Sequence, residues 1–231
     1  MSTSAASPSR REGVAARIRQ PASAAAAGIV FAVLFTCIVV LLRRAVPEQV
    51  VSSGDWADSP YRAPVNLALN LMPFAGIALL WFIAVVRSEI ASLKDRFIET
   101  VFLGSGLLFI AMMFAAAASL RAVLLIGTSS PVDQGVRHFA WGLAVALLAE
   151  FGSRMAAVFV FCATTIGRKS GAMPRWLTVL GYVVGVVLLL TPPVPRTGQL
   201  LFPTWVLIIS VFILTGRHRR ARRAAEASDQ A

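Results

Sequence analysis

The chain has 231 residues, of which 57% are apolar and only 14% are charged, and its formal net charge is +11. An ordinary soluble domain has about 25% charged residues. Here the charges are concentrated in short segments, and the apolar runs between them approach the roughly 20 residues that a membrane-spanning helix needs. This composition excludes a sizeable soluble domain. It predicts a single all-α domain in lipid, a polytopic membrane helix bundle of about six transmembrane helices.

The N-terminal segment, residues 1–23, is rich in Ser, Ala and Arg, which predicts a polar tail that is disordered near its start. The first apolar run covers residues 24–42 and ends at Arg43 and Arg44. A cleaved signal peptide has an apolar region of about 7–15 residues followed by a small-residue cleavage site. This run is longer and precedes two arginines, so we interpret it as an uncleaved first transmembrane helix.

The loop that follows, residues 45–64, carries Asp55 and Asp58 beside Trp56. These carboxylates raise the question of a metal or sugar contact. Two carboxylates are too few for a calcium site, which needs about 6–8 oxygen ligands. We therefore expect a solvated loop.

Five further apolar runs predict transmembrane helices at about residues 65–86, 97–120, 139–166, 176–191 and 200–215. The third of the six helices extends to Gly127 if it carries Arg121 inside it. The fifth stops where Pro192 and Pro193 follow, because proline cannot continue a helix. The chain ends in a basic tail, residues 216–231, which contains five arginines.

The distribution of Lys and Arg predicts the orientation of these helices. The N-terminal tail has four, the loops after the second and fourth spans have three each, and the C-terminal tail has five, which places fifteen on one side. The opposite side has six, and Arg154 lies within a span. Short segments rich in Lys and Arg stay in the cytoplasm. The count therefore predicts a multi-pass protein of a bacterial plasma membrane with both termini in the cytoplasm.

The strongest candidate site is a charged pair in the fourth span. Glu150 and Arg154 lie four residues apart, hence on one helix face, on either side of the midpoint of residues 139–166. A charge at the bilayer centre costs about 2.5–3.5 kcal/mol, and pairing offsets part of that cost. Such residues predict a buried functional pair that faces the bundle interior or a wet cavity. The alternative, which we slightly favour, is a structural ion pair that holds helices in register.

Three further polar residues lie at depths that would allow them to form a wider polar cluster with Glu150. Asn66 and Asn70 fall in the outer half of the second span and Arg121 near the outer end of the third. With Glu150 they would line a cavity in which Arg121 meets an anionic or zwitterionic ligand. In the alternative, Asn70 satisfies backbone groups freed by Pro73 and Arg121 extends to the interface. We favour this alternative, because polar contacts between membrane helices are frequent and individually weak.

A second kind of candidate is a helix-packing motif. Gly181 and Gly185 form a GxxxG pattern in the fifth span, which permits close approach of a neighbouring helix. Packing within the chain is the preferred interpretation, and homodimerisation is the alternative.

The sequence contains no GxxxxGK[ST], HExxH, CxxC or GxSxG pattern, so we expect no cofactor, no metal and no enzymatic activity. Cys37 and Cys162 fall at different depths, and we interpret both as small apolar side chains. The basic tail, residues 216–231, predicts either contact with anionic lipid head groups or a topological anchor. Nucleic-acid binding is disfavoured, because nothing aromatic or groove-shaped accompanies the charge.

Four segments carry a family resemblance: PFAGIALLWFI at 73–83, TVFLGSGLLF at 100–109, RMAAVF at 154–159 and PRWL at 174–177. They resemble a family of small uncharacterised integral membrane proteins from actinobacteria, over about residues 65–190. The resemblance implies a bacterial plasma-membrane protein and carries no known activity.

Three classes of function remain. The first is a non-catalytic accessory or assembly module that acts through helix contacts in the bilayer, with itself or another membrane protein. The second is a small transporter or channel built around Glu150 and Arg154, and the third, well behind, is a membrane-embedded enzyme. A wet cavity that reaches Glu150 would favour transport, whereas a pair sealed by apolar neighbours would favour the module.

Overall fold

The structure is a computed structural model that describes residues 8–46, 48–58, 60–90, 96–127, 131–171, 173–190 and 198–228. Within these ranges the backbone forms helices and the turns that join them, and no strand. The chain is therefore an all-α helix bundle, as the sequence predicts.

Eight α-helices follow one another along the described chain. They are α1 (Pro8–Ala45), α2 (Glu48–Ser53), α3 (Arg62–Ile90), α4 (Arg96–Ile126), α5 (Gln134–Val145), α6 (Ser153–Lys169), α7 (Arg175–Leu190) and α8 (Leu201–Ser228). Short 3₁₀ turns lie at Asp55–Ala57 and Gly198–Leu200. A π-helical stretch, Ala146–Gly152, joins α5 directly to α6, and we call it the π segment.

The first and the last helix are both longer than the sequence predicts. The first helix begins at Pro8, so most of the predicted polar tail continues the helix of the first span. The last helix runs to Ser228, through the basic tail. Ala, Arg and Glu are among the strongest helix formers, and both tails are rich in Ala and Arg. Hydropathy indicates where an apolar segment ends. Here α1 begins before its apolar segment, and α8 continues after its apolar segment.

Four helical stretches are long and apolar enough to cross a membrane. They are Ser23–Arg44, Arg62–Arg87, Arg96–Ile126 and Gln134–Lys169. Two further apolar helices, Arg175–Leu190 and Leu201–Thr215, are shorter. At 1.5 Å per residue, the 16 residues of α7 extend about 24 Å, which is less than the roughly 30 Å of a typical hydrocarbon core.

The main core is aromatic and lies where α1, α4, α6 and α8 meet. Phe109 and Phe202 pack edge to face with ring centroids 4.8 Å apart, and Phe102 stacks on Phe159 at 4.5 Å. Phe31 of α1 contacts Phe202 at 5.6 Å. Aromatic pairs at these separations contribute beyond the area they bury. This network fixes α1 and α8 against the centre of the bundle.

The described residues between 45 and 64 fold into short helical turns that form a cap. Asp55 and Asp58 stay exposed there, as expected of a solvated loop. Trp56 is fully buried in a second apolar cluster, and Asp58 forms an ion pair with Arg137 at 2.7 Å. Arg62 donates a hydrogen bond of 2.7 Å to the carbonyl of Leu124, near the end of α4 where helix carbonyls need partners. We call this end of the bundle the capped end.

Candidate functional site

The π segment interrupts the longest apolar helical stretch of the described chain near its centre. It contains Glu150, and Gly152 at its end is buried. The hydroxyl of Ser153 donates to the carbonyl of Ala149 at 2.6 Å, a back-bonding contact that often bends helices. π-Helical turns are rare and occur frequently at functional sites. Nothing in the apolar spacing of residues 146–152 signals this change of register.

Glu150 and Arg154 are joined in the structure. Arg154 Nη1 lies 3.5 Å from Glu150 Oε1, and the same nitrogen donates to the Glu150 carbonyl at 2.9 Å. The guanidinium therefore neutralises the carboxylate and also satisfies a backbone acceptor at the edge of the π segment. The Arg154 side chain thus contacts both the Glu150 carboxylate and the Glu150 backbone carbonyl.

The expectation that this pair is buried inside the bundle is wrong. The side chains of Arg154 and Glu150 are 40% and 38% exposed. The faces of this helix that pack inward carry small residues, and Ala149, Gly152 and Ala156 are buried. Small side chains allow the close packing between helices that a bundle needs, which leaves the larger charged pair on the outer surface. The pair therefore faces the surroundings of the bundle near the middle of its longest apolar helix.

Asn66, Asn70 and Arg121 form a separate group, which we call the arginine clamp. Arg121 donates to Asn66 Oδ1 at 2.7 Å and to Asn70 Oδ1 at 2.5 Å. The clamp ties α3 to α4. None of these three side chains is fully buried, which corrects the expectation of a buried cluster. Asn70 Oδ1 is thus used as an acceptor for Arg121.

The structure thus brings the five predicted polar residues together as two groups. No hydrogen bond or ion pair in the described part of the chain joins the arginine clamp to the Glu150–Arg154 pair. Two cavities of about 290 and 460 Å³ in the described structure are lined by other residues. Within the described ranges, the hydrogen bonds and these two cavities do not join the five residues in one shared site.

The GxxxG motif of α7 packs against α6. A Cβ atom added at Gly181 would overlap Oγ1 of Thr164 and lie 2.9 Å from its Cγ2, and one added at Gly185 would lie 2.7 Å from Cε1 of Phe161. Both glycines and Thr164 are buried. The motif is therefore used for packing within the chain.

Two cavities were not anticipated from the sequence, because each is built by residues far apart along it. One, of about 290 Å³, lies at the capped end beside Asp58, Arg62 and Arg137. The other, of about 460 Å³, lies between α1 and α5 and has an apolar lining that includes Trp141 and also Arg43. We call the second the interhelix cavity.

Metal ligands do not gather in the part of the chain that the structure describes: no three His, Cys, Asp or Glu side chains lie together there. Comparison with models of protein families, with curated proteins and with solved structures found no match to the chain.

Proposed function

We propose that the chain is a multi-pass protein of a bacterial plasma membrane, with six spans and both termini in the cytoplasm. It acts there as a non-catalytic accessory or assembly module that docks on another membrane protein through the surface around Glu150 and Arg154. The four long apolar helices and the excess of Lys and Arg on one side of the predicted topology support this location. The resemblance to small actinobacterial membrane proteins supports it as well.

The observation that carries the docking proposal is a half-exposed charged pair in the middle of an apolar helix. A charged side chain at the bilayer centre costs about 2.5–3.5 kcal/mol. The ion pair reduces that cost, but side chains that are 40% and 38% exposed are not shielded by their own bundle. A partner helix with hydrogen-bonding side chains would complete the shielding, since such groups stabilise helix association in membranes.

A different protein suits this surface better than a second copy of the chain. Two copies with the same orientation are related by an axis along the membrane normal, so equivalent residues lie at equal depth. Glu150 would then lie at the depth of the second Glu150, and Arg154 at that of the second Arg154, so the second copy offers each charge a like charge at its own depth. The GxxxG motif, the other dimerisation candidate, is already packed against α6. We therefore favour a partner with polar side chains at matching depths.

The basic end of α8 provides a second attachment. Its helix continues to Ser228 and carries the five arginines of the tail. Each basic residue near an anionic leaflet contributes about 1 kcal/mol. We propose that this end binds anionic head groups on the cytoplasmic side.

A small transporter or channel is the second candidate, and the π segment is the observation that favours it, because such segments recur at functional sites. In that case Glu150 would be the coupling group and water would reach it. Solvent access distinguishes the two candidates. A Glu150→Cys variant without the native Cys37 and Cys162 is protected from a water-soluble thiol reagent if a partner covers it, and is labelled if it lines an aqueous path.

The docking proposal is tested by the size of the complex extracted from native membranes in a mild detergent. The native chain should migrate on a native gel with a partner. A double variant, Glu150→Leu with Arg154→Met, should accumulate in the membrane but migrate alone, because it removes the polar surface without leaving one charge unpaired.

A matched control removes a second ion pair elsewhere. Arg87 and Glu99 are joined at 2.7 Å between α3 and α4, and Arg87→Met with Glu99→Leu should leave the complex intact. The proposal fails if the Glu150 and Arg154 double variant keeps the partner, or if the native chain migrates alone.

A further inference from the structure

The interhelix cavity has the size of a ligand-binding site. Its volume of about 460 Å³ lies within the roughly 300–1,000 Å³ of typical ligand sites. Its walls come from the capped-end half of α1 and from α5 with the π segment, and its floor comes from α3 and α4. Representative apolar lining residues are Ile38, Leu42, Met72, Leu120, Val145 and Leu148.

The cavity is accessible from the side of the bundle. α1 packs on α3 and α8, and α5 packs on α4, but α1 and α5 do not pack closely against each other in the described structure. Among the described residues, the space between them is therefore a gap in the bundle wall. In a bilayer, the neighbouring material on that side is lipid.

The lining of the cavity includes one cation. Arg43, in the last turn of α1, is the only charged residue among the described lining residues. Gln199, which precedes α8, adds a polar amide. Arginine is the side chain best suited to bind carboxylates and phosphates, because its guanidinium donates several hydrogen bonds in a fixed plane. A mainly apolar lining that includes one guanidinium suits an acyl chain that carries an anionic head group.

We propose that the interhelix cavity binds one acyl chain of an anionic membrane lipid, with the head group at Arg43. This goes beyond docking through Glu150 and Arg154, since neither residue is among those that line the cavity. Trp141 lies in the lining and reports on occupancy. Gly142 also lies there, and a Cβ added to it meets no atom within 4 Å. A side chain at this position therefore starts in open space next to the cavity lining.

The test uses the full chain in vesicles of neutral lipid with increasing fractions of phosphatidylglycerol whose acyl chains carry bromine. Bromine quenches tryptophan fluorescence on contact, and subtracting the signal of a Trp141→Phe variant isolates Trp141 from the other four tryptophans. Quenching of Trp141 should reach half its maximum at about a fivefold lower lipid fraction for brominated phosphatidylglycerol than for brominated phosphatidylcholine.

Two matched pairs of variants test the guanidinium and the space beside the lining separately. Arg43→Gln should abolish the preference for the anionic lipid, while Arg44→Gln, at an exposed neighbour outside the lining, should keep it. Gly142→Leu should reduce quenching by both lipids. Gly104→Leu should not, because this site is equally free of neighbouring atoms but lies on α4 outside the cavity.

Equal quenching by the two lipids would overturn the proposal and leave an unselective lipid groove. So would equal behaviour of the two arginine variants or of the two glycine variants. The glycine pair decides the matter even if Arg43→Gln fails to fold.

Discussion

Gly181→Ala tests the packing of α6 against α7. The added methyl overlaps Oγ1 of Thr164, lies 2.9 Å from its Cγ2 and 3.1 Å from its Cβ. Thr164 is fully buried, so its side chain has no free space to enter. Overpacking of this kind costs about 1–3 kcal/mol. Replacing glycine by alanine in a helix otherwise gains about 1 kcal/mol, which masks part of the cost in the single variant.

The matched variant Gly104→Ala removes this ambiguity. A Cβ at Gly104 meets no atom within 4 Å, so this variant receives the gain in helix propensity without overpacking. The free energy of unfolding should therefore be about 1–3 kcal/mol lower for Gly181→Ala than for Gly104→Ala. For a chain of this size, that difference corresponds to about 2–4 °C of melting temperature per kcal/mol. Thermal unfolding in detergent, followed by loss of the monodisperse chromatographic peak, measures it.

A compensating change makes the test specific. Thr164→Ala removes Oγ1 and Cγ2, the two atoms nearest to the new methyl, and Oγ1 has no hydrogen-bond partner among the described residues. The double variant Gly181→Ala with Thr164→Ala should therefore recover most of the lost stability. Equal melting temperatures for Gly181→Ala and Gly104→Ala, or no recovery in the double variant, would refute the proposed contact between α6 and α7.

Three further predictions concern the arginine clamp, the cap and the topology. Replacing both Asn66 and Asn70 by Leu should lower the folded yield in detergent more than Arg121→Met does. The first change leaves the Arg121 charge unpaired, whereas the second leaves only neutral amides unpaired. A larger loss of yield for Arg121→Met would contradict the clamp. Trp56→Ala should lower the free energy of unfolding by about 3–5 kcal/mol. Asp58→Asn weakens a partly exposed ion pair and should lower it by about 1 kcal/mol or less. Similar denaturation midpoints for the two variants would contradict the burial of Trp56 in the cap. Reporter fusions in the α6–α7 loop and after α8 should both report the cytoplasm, and an external signal from either would contradict the orientation.

The helical class and the approximate spans follow from the apolar runs, because a helix buried in lipid needs a continuous apolar sequence. The ends do not follow: the second span was predicted at residues 65–86, and α3 covers Arg62–Ile90. Helical hydrogen bonds continue through polar residues, so hydropathy does not indicate where a helix ends. The same limit explains why the helices α1 and α8 extend so far into the polar tails.

The candidate residues were recognisable from sequence, but their surroundings were not. The spacing of Glu150 and Arg154 shows that they share a helix face, and it does not show whether that face points into the bundle. That depends on which face carries the small residues that other helices contact, such as Ala149 and Ala156. The interhelix cavity depends even more on tertiary structure, because α1, α3, α4 and α5 all contribute to it.

The most direct test of docking places a photoreactive amino acid beside the charged pair. Phe151 is 52% exposed within the π segment, and Trp81 is 66% exposed on α3. On irradiation of native membranes, the reactive group at position 151 should give a discrete protein adduct that disappears when Glu150→Leu and Arg154→Met are added. The group at position 81 should give lipid adducts. Lipid adducts alone at position 151, or an adduct that persists without the charged pair, would contradict the account.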